Sequence, residues 1–192
     1  MSEQEFVDWC TSETWAEWVD GEVIVMSPVS LQHARLFTLL LRLLSDYVEE
    51  HDLGDVLTEP YQVRLTRLRR RRSPDIIFVG KERLDQLKTH HVEGPPDLII
   101  EIVSPASQSL DRREKFFEYQ SSGVREYWIV DPLSQSVEAY ALAKGKKYEL
   151  IEEKEGAIHS TVLHRFFIKP AWLWRAKLPK VSELLRDMTG KR

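Results

Sequence analysis

Two carboxylates sit in stretches where burial makes a charge costly. Glu101 lies inside Leu98-Ile99-Ile100-Glu101-Ile102-Val103, and Asp75 opens the run Pro74-Asp75-Ile76-Ile77-Phe78-Val79. A carboxylate among apolar neighbours is expensive unless a cation or hydrogen bonds compensate. If the two runs pair as neighbouring strands, the acids converge and repel each other, and a divalent cation is the usual remedy. Mg²⁺ or Mn²⁺ suits such a site, because a hard cation takes oxygen ligands and needs only one or two protein carboxylates. The backbone carbonyl of Ile102, next to Glu101, is a further oxygen donor. Plainer readings stand beside this one: Asp75 as a strand-start hydrogen-bond acceptor, Glu101 as the partner of an arginine.

Lys115 is the third candidate. Glu101 lies about two residues before the end of its strand, roughly 6–7 Å at strand rise. Lys115 lies about six residues into the helix that follows, roughly 9 Å at helical rise. A helix folding back along the strand therefore brings the ammonium level with the carboxylate. There it could polarise an attacking water or balance charge developing on a phosphoryl group. The alternative is an ion pair with Asp111, one turn earlier.

The elements that must position these residues follow from local pattern. Ser2-Glu3-Gln4-Glu5 has capping-box spacing, predicting a helix over 3–9. Asp20-Gly21, between β-prone runs at 15–19 and 22–26, predicts a hairpin. Ser30 caps a long helix whose apolar residues Leu31, Ala34, Phe37, Leu40, Leu41, Leu44 and Val48 recur at three- and four-residue steps, with Gly54 closing the segment. Strands are expected at 55–58, 61–66, 74–79, 97–103 and 127–130. A short helix is expected at 81–87, and loop around His90-His91. A helix from Ser109 or Leu110 to Ser122 ends at Gly123, a hairpin joins 137–141 to 147–151, and a terminal helix spans 181–188. Helix, strands, helix, strand in this order indicate an α/β or α+β fold, with a mixed sheet because the middle connections are too short for helical crossovers.

The chain has 192 residues, which fits one domain over 1–192. Its single cysteine, Cys10, excludes an internal disulfide or a multi-thiolate metal site. No stretch approaches the roughly 20 apolar residues of a membrane span, and the acidic N-terminus carries no signal core, so a cytoplasmic protein without membrane partners is expected. The net charge of −4 lacks the basic excess of many nucleic-acid binders. Yet six of the nine residues from Arg64 to Arg72 are arginine, ending in Arg69-Arg70-Arg71-Arg72. Such a cluster can contact phosphates, or it can be a solvated turn whose charges discourage strand pairing.

The residues resemble a known pattern. Pro74-Asp75 before an apolar strand, then Glu101-Ile102-Val103, is similar to the PD-(D/E)xK nuclease motif. More specifically, the blocks from Pro96 to Pro105, from Asp111 to Lys115 with Tyr119, and from Gly123 to Pro132 resemble a large bacterial family of restriction-endonuclease-like proteins. The hairpin Asp20-Gly21-Glu22 and a helix beginning near His33 are also similar to that family. The resemblance implies a restriction-endonuclease-like mixed sheet flanked by helices, with N- and C-terminal β-hairpins. It implies Asp75 and Glu101 as metal-binding acids, with Lys115 in place of the motif lysine, whose position holds Val103. Glu22 and His33 match positions of unassigned role: an extra acid or an exposed one, a proton relay or a structural histidine.

Other motifs are absent or weak. There is no nucleophile elbow, phosphate loop or dinucleotide fingerprint, and Gly145-Lys146-Lys147 lacks the flanking residues a phosphate loop requires. His51, His159 and His164 belong to no constellation. The six tryptophans, Trp172 and Trp174 among them, could stack on bases, while Trp15, Trp18 and Trp128 fit the core. The expected activity is metal-dependent hydrolysis of DNA by an Asp75/Glu101/Lys115 site. The competing expectation is an inactive nucleic-acid-binding or regulatory module on the same fold. A two-fold dimer through the 137–151 hairpin would suit action on both strands.

Overall fold

The computed structural model describes residues 1–11, 14–104 and 110–189, apart from the side chains of Leu110, Asp111 and Thr189. The expected helix start at Ser109 and the Asp111 partner for Lys115 lie outside these described residues. Local signals open the chain. Helix α1 (Glu3–Trp9) begins at a reciprocal capping box: Ser2 Oγ accepts the Glu5 N–H at 3.2 Å and the Glu5 carboxylate accepts the Ser2 N–H at 2.6 Å. Strands β1 (Ala16–Val19) and β2 (Glu22–Val25) close over Asp20 at φ 49° and Gly21 at φ 97°, as a tight hairpin demands. Helix α2 (Leu31–Glu50) is capped by Ser30, whose hydroxyl accepts the His33 N–H at 3.1 Å.

Five strands follow: β3 (Gly54–Thr58), β4 (Gln62–Leu65), β5 (Arg70–Arg72), β6 (Ile76–Gly80) and β7 (His91–Glu93), with a 3₁₀ turn over Lys81–Gln86. After β8 (Leu98–Ile102), a wide π-type turn over Leu110–Lys115 runs into α3 (Phe116–Ser122). The C-terminal part holds β9 (Glu126–Asp131), β10 (Ser136–Leu142), β11 (Tyr148–Leu150), β12 (Ile158–His159), β13 (Phe167–Ile168), α4 (Pro170–Leu173) and α5 (Val181–Thr189).

Several expectations are corrected here. The arginine turn is in part a strand, β5, paired on both sides by β1 and β4. His91 lies in β7, parallel to β4, and not in a loop. Gly54 does not close α2, which ends at His51, but opens β3 at φ 146°. A Cβ at Gly54 would run into the Val79 carbonyl across the β3–β6 pair. Gly54→Ala is therefore expected to destabilise the protein by about 2–3 kcal/mol, read from the urea midpoint.

Two mixed sheets result. The six-stranded sheet has the order β11-β10-β9-β8-β6-β3, and the five-stranded sheet β2-β1-β5-β4-β7. In the larger sheet β8 and β9 run parallel, joined by α3 as a βαβ unit, and the other neighbours are antiparallel. The N-terminal hairpin is an edge of the smaller sheet, and the C-terminal one extends the larger. Strand alternation divides the core. Ile76, Ile100, Ile102 and Trp128 face α2 through Leu36, Leu40 and Leu44. Ile77, Ile99, Tyr127 and Ile129 face α3 and Val63, Leu65 and Val92 of the smaller sheet. Trp18 and Trp128 are core residues as expected, Trp15 is half-buried, and Trp172 is buried and not free to stack on bases.

At the opposite end of β8 from Glu101, the side chain of Asp97 ties three elements. It accepts the Gly80 N–H at 2.8 Å and pairs with Arg83 at 2.8 Å and Arg125 at 3.0 Å. Burial pushes its carboxyl up, but the Gly80 amide and the two guanidinium groups outweigh that and leave it below the usual aspartate value. A group depressed in the folded state stabilises above its unfolded pKa, roughly 4. That contribution is lost as pH falls below 4 through the folded value. Asp97→Asn should flatten the acid limb of a melting-temperature–pH profile, and an unchanged limb would refute the assignment.

Candidate functional site

The antiparallel register that sets Ile76 opposite Ile100 carries Asp75 alongside Glu101. Asp75 Oδ2 accepts the Ile102 N–H at 2.5 Å, bridging β8 just past Glu101. Both acids are buried, Asp75 with 6% and Glu101 with 4% of its surface exposed. The register sets the two acids side by side at one strand end, next to the Ile102 carbonyl. Helix and strand rise also place the lysine as reckoned. Lys115 Nζ stands 2.9 Å from Glu101 Oε1, and Tyr119, one turn further along, donates its hydroxyl to the same oxygen at 2.9 Å. Lys115 sits at the end of the π-type turn, a distortion frequent at functional sites. Val103, in the usual lysine position of the motif, is buried in the core between the sheets.

His33 enters from the first turn of α2, with Nε2 3.3 Å from Asp75 Oδ1. Its Nδ1 is buried with no hydrogen-bond partner among the described residues. Burial lowers the imidazole pKa, but the Asp75 carboxylate, Glu59 and the Ile102 carbonyl outweigh it and raise it above the ordinary histidine value. Glu59, in the turn after β3, is one acid that sequence reasoning missed. Burial and the charge of Asp75 push its carboxyl up to about 7. Nothing local marks Glu59, since only the return of β3 beside β6 brings it to Asp75.

Glu22 does not join the group. It is exposed on the hairpin edge of the smaller sheet. The hairpin instead supplies Glu17, fully buried, which accepts from the Ser73 N–H at 3.0 Å and from Arg72 at 2.8 Å. Its only local signal was a charge inside the β1 run Ala16-Glu17-Trp18-Val19. Arg72, itself 0% exposed, also makes a two-pronged pair with Glu118, both contacts at 2.8 Å. Arg71 pairs with Glu3 at 2.7 Å, and Arg70 with Asp20 at 2.6 Å and Glu118 at 2.9 Å. Of the tetrad Arg69–Arg72, Arg69 alone is exposed, 5.9 Å over the Trp18 ring. The run thus serves largely as an internal counter-ion for carboxylates and not as an open basic patch.

Taken together, the two mixed sheets and the helices packed on them define an α/β protein. The same fold is found in a crystal structure described as "a putative nuclease belonging to DUF820" from Anabaena variabilis ATCC 29413. It has a TM-score of 0.76 at 17% identity and covers 91% of this chain and 97% of that one. The family model Uma2, "Putative restriction endonuclease", matches residues 3–167, and the chain belongs to that family. An uncharacterised protein, sll1609 of Synechocystis sp. (strain ATCC 27184 / PCC 6803 / Kazusa), is 23% identical over 138 residues, which are 71% of this chain and 77% of that protein. No helix among the described residues is long and apolar enough to cross a membrane.

Proposed function

We propose that the protein is a metal-dependent phosphodiesterase that hydrolyses DNA, with Asp75, Glu101 and the Ile102 carbonyl as ligands for Mg²⁺ or Mn²⁺. The observation that carries this reading is the convergence of two buried acids and a lysine at the paired ends of β6 and β8. Among the described residues no three His, Cys, Asp or Glu side chains close into a ready ligand group. The donor set nevertheless fits a hard cation, because Mg²⁺ takes one or two carboxylates and fills the rest of its shell from water and phosphate. The donors are all oxygens, two of them anionic. When bound, such a cation polarises the phosphate and lowers the pKa of a coordinated water.

The chain's own residues do the remainder. Lys115, held by a Glu101 carboxylate that Tyr119 also steadies, places a positive charge where the phosphoryl oxygens gain negative charge. His33, raised by Asp75, fixes one Asp75 oxygen while the Ile102 amide fixes the other. Of the arginine tetrad, Arg69 is placed to meet a phosphate from outside. Leu150 on the open edge strand β11 is 57% exposed, and a second copy adding there would set two sites on one duplex. A strictly monomeric mass by light scattering would count against that pairing.

The test is nicking of supercoiled plasmid in Mn²⁺ by the wild type and by Glu101→Gln. Cleavage by the wild type, abolished in the variant, is expected. Cleavage that survives the substitution overturns the site. The competing module reading has one observation in its favour, Val103 buried in the core at the usual lysine position of the motif. Plasmid binding without cutting in any metal would establish it.

A further inference from the structure

We propose that Glu17 is a positioning residue that receives the Lys115 ammonium when the Glu101 carboxylate turns to its cation. This inference rests on the metal-dependent reading above. In the present arrangement Lys115 Nζ lies 2.9 Å from Glu101 Oε1 and 3.8 Å from Glu17 Oε1. A shift of about one ångström transfers the contact from one carboxylate to the other. Like charges repel steeply at such range in a poorly solvated interior, so a divalent cation on Glu101 cannot share that carboxylate comfortably with an ammonium. The lysine itself is only 3% exposed.

Glu17 is built to receive it. Its two oxygens are held by the Ser73 N–H at 3.0 Å and the Arg72 guanidinium at 2.8 Å, and Arg72 is itself locked by Glu118. The acceptor is therefore rigid while the lysine's long stem is not. Lys115 and Arg72 together outweigh burial and keep the Glu17 carboxyl below its ordinary value, so it carries charge. Lys115 and Arg72 are shared among three buried carboxylates, Glu17, Glu101 and Glu118, with Arg70 adding a second guanidinium to Glu118 at 2.9 Å. Glu17 also holds Ser73, two residues before Asp75, so one side chain sets both the lysine and the entry of the acid strand.

The test reads cation affinity, not turnover. Mn²⁺ is titrated calorimetrically into the full chain as wild type, Glu17→Gln, Lys115→Met and the double variant, with thermal melting as the control for folding. Glu17→Gln keeps the acceptor for Ser73 but removes the charge, and is expected to weaken Mn²⁺ binding by about tenfold, the usual effect of losing an outer partner of a metal ligand. In the Lys115→Met background the same change is expected to have no effect, because the ammonium that needs a second home is gone. A purely structural Glu17 would not show that dependence on Lys115. Glu17→Asp, run in parallel in case the glutamine variant fails to fold, withdraws the carboxylate by one methylene and should weaken binding in the same direction. If the wild type binds Mn²⁺ and both Glu17 variants bind it equally well, the Glu17 role is overturned and the metal site stands. If the wild type binds none, the metal-dependent reading falls, and this inference with it.

Discussion

Asp75→Asn is expected to cut Mn²⁺-dependent DNA cleavage by about a thousandfold, an effect of several kcal/mol on the transition state. The substitution is nearly isosteric. An asparagine oxygen can still accept the Ile102 N–H that now goes to Asp75 Oδ2 at 2.5 Å, so the join between β6 and β8 survives. What disappears is the negative charge, and with it an anionic ligand and the ionic partner that raises His33. Plasmid-nicking rates across a Mn²⁺ series measure the loss, and far-UV circular dichroism with a melting curve verifies that the variant is folded. A variant cutting within threefold of the wild type would remove Asp75 from the mechanism. Excess Mn²⁺ should rescue part of a binding defect but not a lost ligand's share of the chemistry, so the shortfall at saturating metal is the informative number.

Arg72→Met carries the largest expected effect on stability. The guanidinium is wholly buried and meets three carboxylate oxygens at 2.8 Å, two from Glu118 and one from Glu17. Removing the cation strands two acids in the interior, and breaking a buried pair from one side costs about 3–5 kcal/mol. Urea unfolding at neutral pH measures it. The pH dependence has a definite sign. In the wild type burial raises Glu118, but Arg72 and Arg70 outweigh it and hold the carboxyl low. In the variant only Arg70 remains beside Glu118 and Lys115 beside Glu17, so both acids take up protons at higher pH. The gap between variant and wild type should narrow as pH falls, because neutral acids no longer need the arginine. Adding Glu118→Gln to Arg72→Met should recover part of the loss. A gap independent of pH would mean that packing volume, not charge, explains the arginine's burial.

Much of the candidate site was legible before any coordinates. Asp75 and Glu101 stand out because a charge inside an apolar strand is physically anomalous wherever the strand ends up. The level of Lys115 beside Glu101 follows from rise per residue in strand and helix, which backbone geometry sets, while an ion pair with Asp111 remained the alternative. Capping at Ser2 and Ser30 and the Asp20-Gly21 hairpin are likewise decided within a few residues of chain. The inward turn of the arginine run was not legible, for the opposite reason. Arg72 finds its partners 46 and 55 residues away, and nothing near it in the chain shows that those carboxylates will fold around it.

Local sequence thus determined most of the elements, their caps and the anomalous acids, because hydrogen bonding within a turn and side-chain periodicity act over a few residues. Only the tertiary structure decided that Glu59 crowds Asp75, that Glu17 rather than Glu22 leaves the hairpin for the interior, and that three of four consecutive arginines turn inward. Those outcomes depend on which charges the packed sheets bring within a few ångströms of each other, and electrostatic compensation in a buried space is a property of the assembled fold.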